Sequence, residues 1–280
     1  MSDSNQFKLV GIMGMPVFQS RSPILHNYWI KKYNFKGAYG HFPVQIDNVE
    51  AAVRGLSALG IAGCNITQPH KLMAMKLMDK LSPMAERIGA INCIVLQPDG
   101  SLHGFNNDGF GYIQSLKDVK PNWRADEGPI VVLGSGGAAR AVVISLLDEG
   151  ATEIRLINRT RAKADELAAV DPSVIKTFNW EERHAALEGA ALLTNTTNQG
   201  MYGQPPLDIQ LDALPKSAMV SDLIYIPLET PLLAAARERG HVTVNGLGML
   251  LNQAIPAFEA WFGVKPEITD ELRKAILATF

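Results

Sequence analysis

The chain has 280 residues, which at roughly 150 residues per domain corresponds to two domains. Hydrophobic residues make up 47% and charged residues 19%, a balance that is typical of folded globular proteins and excludes intrinsic disorder. The net charge of −2, from 26 basic and 28 acidic residues, leaves no positive excess to neutralise a phosphate backbone, so we do not expect nucleic acid as a partner.

The first residues, MSDSNQFK, are polar and lack the basic and apolar regions of a signal peptide. The rest of the chain contains no uninterrupted run of about 18 apolar residues, so we expect no transmembrane helix. The sequence therefore predicts a cytoplasmic protein that does not contact a membrane.

Residues 8–105 alternate short apolar runs with segments of helical period. The predicted strands are 8–14, 39–44 and 62–66, the predicted helices are 23–33, 48–60 and 69–79, and strands 90–96 and 101–105 are predicted to form a hairpin. Pro23 and Pro69 suit first helical positions, and Gly60 suits a helix end. This alternation predicts a parallel sheet with binding residues at the carboxyl ends of its strands.

A polar stretch at 117–128 interrupts this pattern and is the best candidate for a boundary between domains. After it, the sequence predicts strands at 128–134, 152–158, 174–180, 190–195, 218–225 and 241–246, with helices at 137–150, 161–170, 247–263 and 268–280. The whole chain is therefore predicted to be an α/β protein.

A glycine-rich turn follows the strand 128–134. Its residues Gly134, Ser135, Gly136 and Gly137 allow a tight turn and bring backbone N–H groups towards a pyrophosphate at a helix N-terminus, although a purely structural turn is the alternative. Some two dozen residues later, where NAD-binding proteins carry an acidic residue for the ribose, the chain has Asn158, Arg159 and Thr160. Arg159, Arg161 and Lys163 form a basic cluster, and a guanidinium matches the 2′-phosphate of NADP. The turn and the cluster together predict an NADP site.

Two hydroxyl residues, Ser20 and Ser22, lie between a predicted strand and a predicted helix. They either cap the helix or hold a substrate carboxylate or polyol, and the chemistry alone does not separate these alternatives.

Lys71 and Asp108 are candidates for an acid–base pair. Lys71 lies in a predicted first helical turn, where a cation opposes the helix dipole, and solvation is its alternative explanation. Asp108 follows a predicted strand and precedes a helix, where N-capping is the alternative. Hydride reduction of a ketone creates an alkoxide that a lysine ammonium can stabilise and protonate.

We expect no metal site. The two cysteines, Cys64 and Cys93, cannot form a disulfide framework or a four-ligand zinc site, and we expect both to be buried. The histidines lack the i, i+4 pairing of a metal-binding helix. His70, beside Lys71, is expected at the surface or behind the site.

Taken together and in order, these motifs resemble the shikimate dehydrogenases, which reduce 3-dehydroshikimate with NADPH. The resemblance extends over essentially the whole chain. It rests on the segments GMPVFQSRSPILHN (14–27), GCNITQPHK (63–71), GAINCIV (89–95), GFNNDGFG (104–111), GSGGAARA (134–141), NRT (158–160), LIYIPLETPLL (223–233) and NGLGML (245–250).

The resemblance implies a role for each matching residue. Lys71 and Asp108 are then catalytic, and the substrate-binding residues are Ser20, Ser22, Asn65, Thr67, Asn92, Tyr225 and Gln253. The cofactor-binding residues are Gly134, Ser135, Gly136, Gly137, Ala138, Asn158, Arg159, Thr160, Lys163, Thr196, Gly246 and Met249. Residues 1–112 and 246–280 are expected to form a substrate domain to which the C-terminal helices return, and residues 113–245 a Rossmann-type NADP domain. We expect a monomer or a homodimer.

The chain also departs from the family pattern near the expected pocket. The departures are Gln19, His70, Cys93, Asn107, Ile226 and Asn245. A polar pocket discriminates strongly when its hydrogen-bonding partners change. A dehydrogenase that prefers quinate or a related cyclic acid is therefore the first alternative, followed by a non-catalytic NADP or metabolite sensor. A different two-domain NADP enzyme, such as a folate dehydrogenase, is a further alternative, which Ser20 and Ser22 disfavour.

Overall fold

The computed structural model describes residues 6–280. Its contacts divide the chain into two compact units, one formed by residues up to Asn107 together with Gln253–Phe280, and the other by Asp108–Asn252. Each unit contains one six-stranded sheet, so the predicted α/β class is confirmed. The polar stretch 117–128 lies inside the second unit. The functional division at residues 112 and 246 stays a prediction.

The first unit has a mixed sheet. Up to Asn107 its elements are β1 (Lys8–Gly14), α1 (Ser22–Lys32), β2 (Gly37–Pro43), α2 (Val49–Ala58), β3 (Ile61–Ile66), α3 (Lys71–Met75), β4 (Lys80–Leu81), α4 (Pro83–Ile88), β5 (Cys93–Leu96) and β6 (Leu102–Phe105). The strand order is β2-β1-β3-β5-β6-β4. Strands β1, β2 and β3 are parallel, but β5 is antiparallel to both β3 and β6. The predicted hairpin is confirmed, since β5 and β6 pair antiparallel. The expectation of a wholly parallel sheet is wrong here, because β5 also runs antiparallel to β3.

The helix predicted at 69–79 is also wrong in its bounds, since α3 covers only five residues. After Met75 the N–H groups of Lys76 and Leu77 bond to carbonyls only three residues back, which tightens the chain into turns. The N–H of Asp79 then donates to Leu102 O, and the chain enters the sheet as β4. The amphipathic sequence pattern thus continues beyond Met75, although the backbone there no longer makes α-helical hydrogen bonds.

The missed helix α4 carries standard boundary signals. Ser82 accepts a hydrogen bond from the N–H of Ala85 at 3.2 Å, Pro83 occupies the first turn, and Gly89 ends the helix in the left-handed region at φ 72°. Serine is preferred at a helix start because its hydroxyl accepts a free backbone N–H, and proline because it has no N–H to leave unpaired. Glycine is preferred at a helix end because it adopts the left-handed conformation easily.

The second unit is a Rossmann-type domain. Its elements are α5 (Asp108–Val119), β7 (Ile130–Leu133), α6 (Gly137–Asp148), β8 (Ile154–Ile157), α7 (Arg161–Ala168), β9 (Ile175–Phe178), β10 (Leu192–Asn195), β11 (Met219–Asp222), α8 (Pro231–Glu238), β12 (Val242–Val244) and the start of α9 (Gly246–Phe262). Every strand pair is parallel, in the order β12-β11-β10-β7-β8-β9. The direction of winding reverses between β7 and β10, and ligands bind α/β sheets at such points.

The C-terminal residues return to the first unit, as predicted. The remainder of α9 and helix α10 (Asp270–Leu277) belong to that unit. The indole N–H of Trp261 donates to Ile94 O at 3.0 Å, and Lys8 Nζ donates to Trp261 O at 2.8 Å. These bonds fix α9 against β1 and β5. None of the helices in the described part of the chain is both long and apolar enough to cross a membrane.

Candidate active site

The glycine-rich turn connects β7 to α6 at the point where the sheet reverses its winding. Gly134 has φ 106°, and a side chain there would collide with the Thr196 hydroxyl. Gly136 occupies the N-cap of α6 and supplies no side-chain cap, so the first-turn N–H groups of Gly137 and Ala138 have no capping side chain. An uncapped helix N-terminus of this kind suits a phosphate group.

A cleft of about 200 Å³ lies beside this turn. Its lining includes Gly134, Ser135, Gly136, Asn158, Arg159, Trp180 and the residues 196–199. The Thr196 hydroxyl donates to Leu133 O at 2.6 Å, so it fixes the wall of the cleft. Trp180, a half-buried residue that follows β9, was not identified from the sequence, because nothing in its local pattern distinguishes it from a surface aromatic residue.

The basic cluster divides into paired and unpaired cations. Arg161 donates to Asp165 Oδ1 at 2.8 Å and to Asn179 Oδ1 at 3.2 Å. Within residues 6–280, the side chains of Arg159 and Lys163 are exposed and have no hydrogen-bond or ion-pair partner. Thr160 occupies the N-cap of α7 without a side-chain bond, and the Asn158 amide donates to Thr160 O at 2.8 Å. Arg159 and Lys163 are therefore available to an anionic ligand, whereas Arg161 already has two side-chain partners.

The predicted residues near the end of the second unit lie around one loop. The loop 223–230 follows β11 and carries Tyr225, which is half-buried. Gly246 is buried beneath it, donates its N–H to Ile224 O at 3.0 Å, and has no room for a side chain because of Leu223 O. Met249 packs against the hydrophobic core. The structure thus explains the glycine at position 246 by close packing against Leu223.

In the first unit, Ser20 and Ser22 belong to one turn with different roles. The N–H of Ser22 donates to the Ser20 hydroxyl at 3.2 Å, whereas the N-cap of α1 is Arg21, which makes no side-chain capping bond. Ser22 is the first residue of α1, is buried, and its side chain forms a hydrogen bond with Tyr39. The Ser20 hydroxyl thus accepts the first N–H of α1, as the capping alternative expects, whereas capping does not account for the Ser22 hydroxyl.

The buried amides of the first unit form a continuous hydrogen-bond network. The Tyr39 hydroxyl donates to Asn65 Oδ1 at 2.7 Å, and Asn65 Nδ2 donates to Asn92 O at 3.1 Å. Asn92 Nδ2 then donates to Gln253 Oε1 at 3.3 Å, and Asn92 Oδ1 accepts from the N–H of Asn107 at 2.9 Å. Four residues that the sequence picks out separately as substrate contacts, Ser22, Asn65, Asn92 and Gln253, are thus joined through Tyr39.

Tyr39 is a further member of the network that its sequence position does not reveal. Its ring stacks on His26 at 4.3 Å with an interplanar angle of 1°, and the Asn27 side chain bonds both its N–H and its carbonyl at 2.9 Å. Burial raises the pKa of Tyr39, so its hydroxyl stays protonated and acts as a donor. Tyr39 thereby fixes the orientation of the Asn65 side chain.

Thr67 and Lys71 stand on either side of a turn that leads into α3. Thr67 is half-buried and its carbonyl accepts from the N–H of His70 at 3.0 Å. Lys71 is the first residue of α3 and is half-buried. His70 is fully buried, contrary to the surface alternative, and its Nε2 bonds to Val44 O at 2.7 Å. The histidine therefore fastens this turn to the end of β2.

In the second unit, Asp108 is the first residue of α5 rather than the residue before it. It is buried, and its carboxylate lies in the first turn, where the helix dipole favours a negative charge. A side chain on the next residue, Gly109, would overlap the Ser145 hydroxyl of α6. This close approach fixes the start of α5 on α6 and with it the position of Asp108.

The departures from the family pattern, Ile226 excepted, are buried or make local hydrogen bonds. Gln19 is exposed and its amide donates to Pro16 O at 3.1 Å, and Cys93 is buried in β5 with a pKa raised by burial. The Asn245 amide donates to Leu228 O at 3.2 Å, and its Oδ1 accepts from the N–H of Leu247. Asn107 acts through its backbone N–H. Nothing in the structure explains Ile226.

Comparison with known proteins decides the family. Sequence models described as "Shikimate dehydrogenase substrate binding domain", "Shikimate / quinate 5-dehydrogenase" and "Shikimate 5'-dehydrogenase C-terminal domain" match residues 12–94, 117–201 and 246–277. The shikimate dehydrogenase (NADP(+)) of Rhodospirillum rubrum is 53% identical over 274 residues, which cover 96% of this chain and 97% of that protein. The chain belongs to the shikimate dehydrogenase family.

Solved structures agree with this assignment. A crystal structure of a shikimate dehydrogenase in complex with NADP+ superposes with a TM-score of 0.88 at 36% identity, covering 98% of this chain and 96% of that one. A quinate dehydrogenase from Corynebacterium glutamicum in complex with NAD superposes with a TM-score of 0.89 at 27% identity, covering 98% and 100%. The fold is therefore shared by family members that differ in substrate and cofactor.

Proposed function

We propose that this chain is an NADP-dependent oxidoreductase that interconverts 3-dehydroshikimate and shikimate. The observation that carries the proposal is the buried network of Ser22, Tyr39, Asn65, Asn92 and Gln253, which suits a small ligand rich in hydroxyl groups. Membership of the family over the full chain supports it.

The cofactor proposal rests on Arg159 and on the turn before α6. The uncapped N-terminus of α6 offers N–H groups to a pyrophosphate, and Arg159 with Lys163 offers positive charge to a 2′-phosphate. Gly134, Ser135, Gly136, Gly137, Ala138, Asn158, Thr160, Thr196, Gly246 and Met249 are proposed to complete this site. When bound, NADPH supplies the hydride that reduces the C3 ketone.

Lys71 and Asp108 are proposed as the acid–base pair. As the ketone oxygen gains negative charge, the Lys71 ammonium donates a proton to it or steadies it. The Asp108 carboxylate is proposed to orient Lys71. In the reverse direction, Lys71 takes the proton from the C3 hydroxyl.

The remaining predicted residues are proposed to orient the substrate. Ser20 and Ser22 hold the carboxylate, and Asn65, Thr67, Asn92 and Gln253 bond ring hydroxyls. Tyr225 is proposed to lie near the nicotinamide. The cytoplasmic location and a monomeric or homodimeric state stay predictions of the sequence.

The substrate is tested by initial rates measured from the absorbance of the reduced nicotinamide, with shikimate and with quinate, each with NADP and with NAD. We expect fast turnover with shikimate and NADP only. Faster turnover of quinate would replace the proposed substrate, and cofactor binding without any turnover would indicate a sensor.

The acid–base pair is tested by Lys71→Ala and Asp108→Asn. We expect kcat to fall by about 10²–10⁴-fold in each, as general acid–base catalysis contributes rate enhancements of this size. The Kd for NADPH should stay within about threefold of the wild-type value, because neither residue belongs to the proposed cofactor site. Lys76→Ala, an exposed lysine just after α3, is the matched control and should retain full kcat. Near-normal kcat in Lys71→Ala and Asp108→Asn would refute these roles.

A further inference from the structure

Asp222, the last residue of β11, carries a carboxylate that the proposed chemistry does not use. Its side chain is buried, with 1% exposure. Its Oδ1 accepts from the N–H of Ile224 at 3.1 Å and from Asn195 Nδ2 at 3.1 Å, and its Oδ2 accepts from the Thr230 hydroxyl at 2.7 Å. These donors are all neutral.

A buried carboxylate that is bonded only by neutral donors contributes little to the stability of a fold, because its burial costs hydration free energy. Burial raises the pKa of Asp222, because the charged form loses its hydration, and the three hydrogen bonds recover only part of this cost. Well-packed neutral groups commonly serve stability at least as well as buried charges. Stability alone therefore does not explain this carboxylate, and the positions of its three donors indicate its role.

The donors come from two different loops at the carboxyl edge of the sheet. Asn195 ends β10, and its Oδ1 also accepts from the N–H of Thr197 at 3.0 Å and from the Thr197 hydroxyl at 2.7 Å. Its Nδ2 also donates to Gln199 O at 3.2 Å. Asn195 thus shapes the turn 196–199, which lines the cleft beside Gly134.

Ile224 and Thr230 lie near the ends of the loop that carries Tyr225. Thr230 is fully buried and also caps α8 by accepting from the N–H of Leu233 at 3.3 Å. Ile224 O accepts from the N–H of Gly246, which opens α9. Asp222 therefore holds the loop 223–230 at two points and the turn 196–199 through Asn195.

We propose that Asp222 is a positioning residue that couples the turn 196–199, on the cofactor side, to the loop 223–230 that carries Tyr225. The coupling rests on the proposed function, since it matters for catalysis only if the cleft binds the dinucleotide and Tyr225 faces the reacting groups. Through it, dinucleotide binding at the turn orders the loop before substrate arrives.

The primary test is hydrogen–deuterium exchange of the full-length protein with and without NADP, compared between wild type and Asp222→Asn. In wild type, NADP should slow amide exchange both at 134–140 and at 223–230. In Asp222→Asn it should slow exchange at 134–140 only, and without NADP the amides of Ile224 and Thr197 should exchange at least about 10-fold faster than in wild type. Retained NADP-dependent protection of 223–230 in the variant would overturn the proposal.

Thr230→Val and Thr230→Ser form a matched pair that keeps the test decisive if Asp222→Asn does not fold. Valine removes the donor to Oδ2 and should abolish the NADP-dependent protection of 223–230, whereas serine keeps the hydroxyl and should preserve it. Equal behaviour of the two variants, or a lower Tm in Thr230→Val with protection unchanged, would leave Asp222 with a structural role only and refute the coupling.

Kinetics separate this proposal from the proposed function. In Asp222→Asn, kcat with shikimate should fall by about 10-fold or more, while the Kd for NADP changes by less than about threefold. A wild-type protein that does not oxidise shikimate would sink the proposed function, but the exchange experiment would still decide the coupling. An unchanged kcat in a folded Asp222→Asn variant would overturn the catalytic relevance of the coupling.

Discussion

At the scale of single residues, the basic cluster shows how pairing decides which charge can act. Arg159 and Lys163 have no partner among residues 6–280, whereas Arg161 is bonded to Asp165 and Asn179. A free guanidinium loses little when it bonds a phosphate, but a paired one must first give up its carboxylate. The three neighbouring cations are therefore not equivalent.

We expect Arg159→Ala to raise the KM for NADPH by about 10–100-fold, the size of a charge-assisted hydrogen bond, and to leave the KM for NADH nearly unchanged. The check is a set of initial rates with both cofactors. Arg161→Ala is the matched control and should change neither value by more than about threefold. Equal losses with NADPH and NADH in Arg159→Ala would show that Arg159 does not recognise the 2′-phosphate.

His26 makes a second prediction, about pH. It is completely buried between Tyr39, Trp29 and Trp261, and burial lowers its pKa to about 3. The unfolded chain has an ordinary value of about 6.5. Because the folded pKa is the lower one, the stabilisation by neutral His26 is complete above pH 6.5 and is lost as the pH falls towards 3.

The free energy of unfolding should therefore fall by about 1.4 kcal/mol per pH unit from His26 alone, or about 2 kcal/mol between pH 6 and pH 4.5. Urea denaturation across this range measures it, and comparison with His26→Phe separates His26 from the carboxylates, which begin to titrate towards pH 4.5. His26→Phe should flatten the pH dependence by that amount. An equally steep dependence in the variant would assign the effect to other groups.

The sequence predicts which residue types form the site better than it predicts the hydrogen bonds that join them. Asn65 is recognisable as a polar residue at the end of a predicted strand, whereas only the resemblance to the family identifies Asn92 and Gln253. Tyr39 is not recognisable, because its position in β2 indicates only a buried aromatic ring. Its importance arises from the Asn27 clamp and the bond to Asn65, which join distant segments that spacing does not relate.

At the scale of elements, local pattern predicts the strands well and the first-unit helices less well. Strands β1, β3 and β7 lie within one or two residues of their predicted ends, because short apolar runs between glycines leave few alternatives. Helix α3 ends early because the chain must reach β6, a tertiary demand that its amphipathic sequence does not reveal. Helix α8 was also missed, although Thr230 and Pro231 supply a standard start.

The contact of β3 with α9 gives a prediction on stability. A methyl group at Gly63 would overlap both Ile94 O and the Trp261 indole nitrogen, which are hydrogen-bonded to each other. We expect Gly63→Ala to lower the free energy of unfolding by about 3 kcal/mol or more, from overpacking and a broken buried hydrogen bond. Urea denaturation is the measurement.

Gly60→Ala is the control for this prediction. Gly60 has φ 65° and open space around it, so its replacement should cost only the left-handed backbone strain of about 1–2 kcal/mol. If both variants lost the same amount, the Trp261 contact would not restrict position 63.

At the scale of the whole molecule, the second unit is contiguous in sequence and the first is not. Residues 108–252 contain the complete parallel sheet, and hydrophobic clusters such as those of Leu146 and Leu193 lie wholly within that range. The first unit is formed by the segments that precede and follow the second unit in the sequence. Composition and alternation predict the α/β class, but they do not show which segments complete which sheet.

We expect residues 108–252 expressed alone to fold cooperatively and to bind NADPH without catalysing turnover. Circular dichroism during thermal unfolding and the fluorescence of bound NADPH test this. Arg159→Ala in the same fragment should weaken NADPH binding. An unfolded or aggregated fragment would show that the second unit depends on the rest of the chain.

Trp180 gives this molecule a built-in optical reporter. The other three tryptophans, Trp29, Trp123 and Trp261, are buried in the described core, whereas Trp180 lines the cleft beside Arg159. Indole emission overlaps the absorption of a reduced nicotinamide, so cofactor binding should quench Trp180 by energy transfer. Titrating wild type and Trp180→Phe with NADPH would then read cofactor occupancy directly, without substrate, label or turnover.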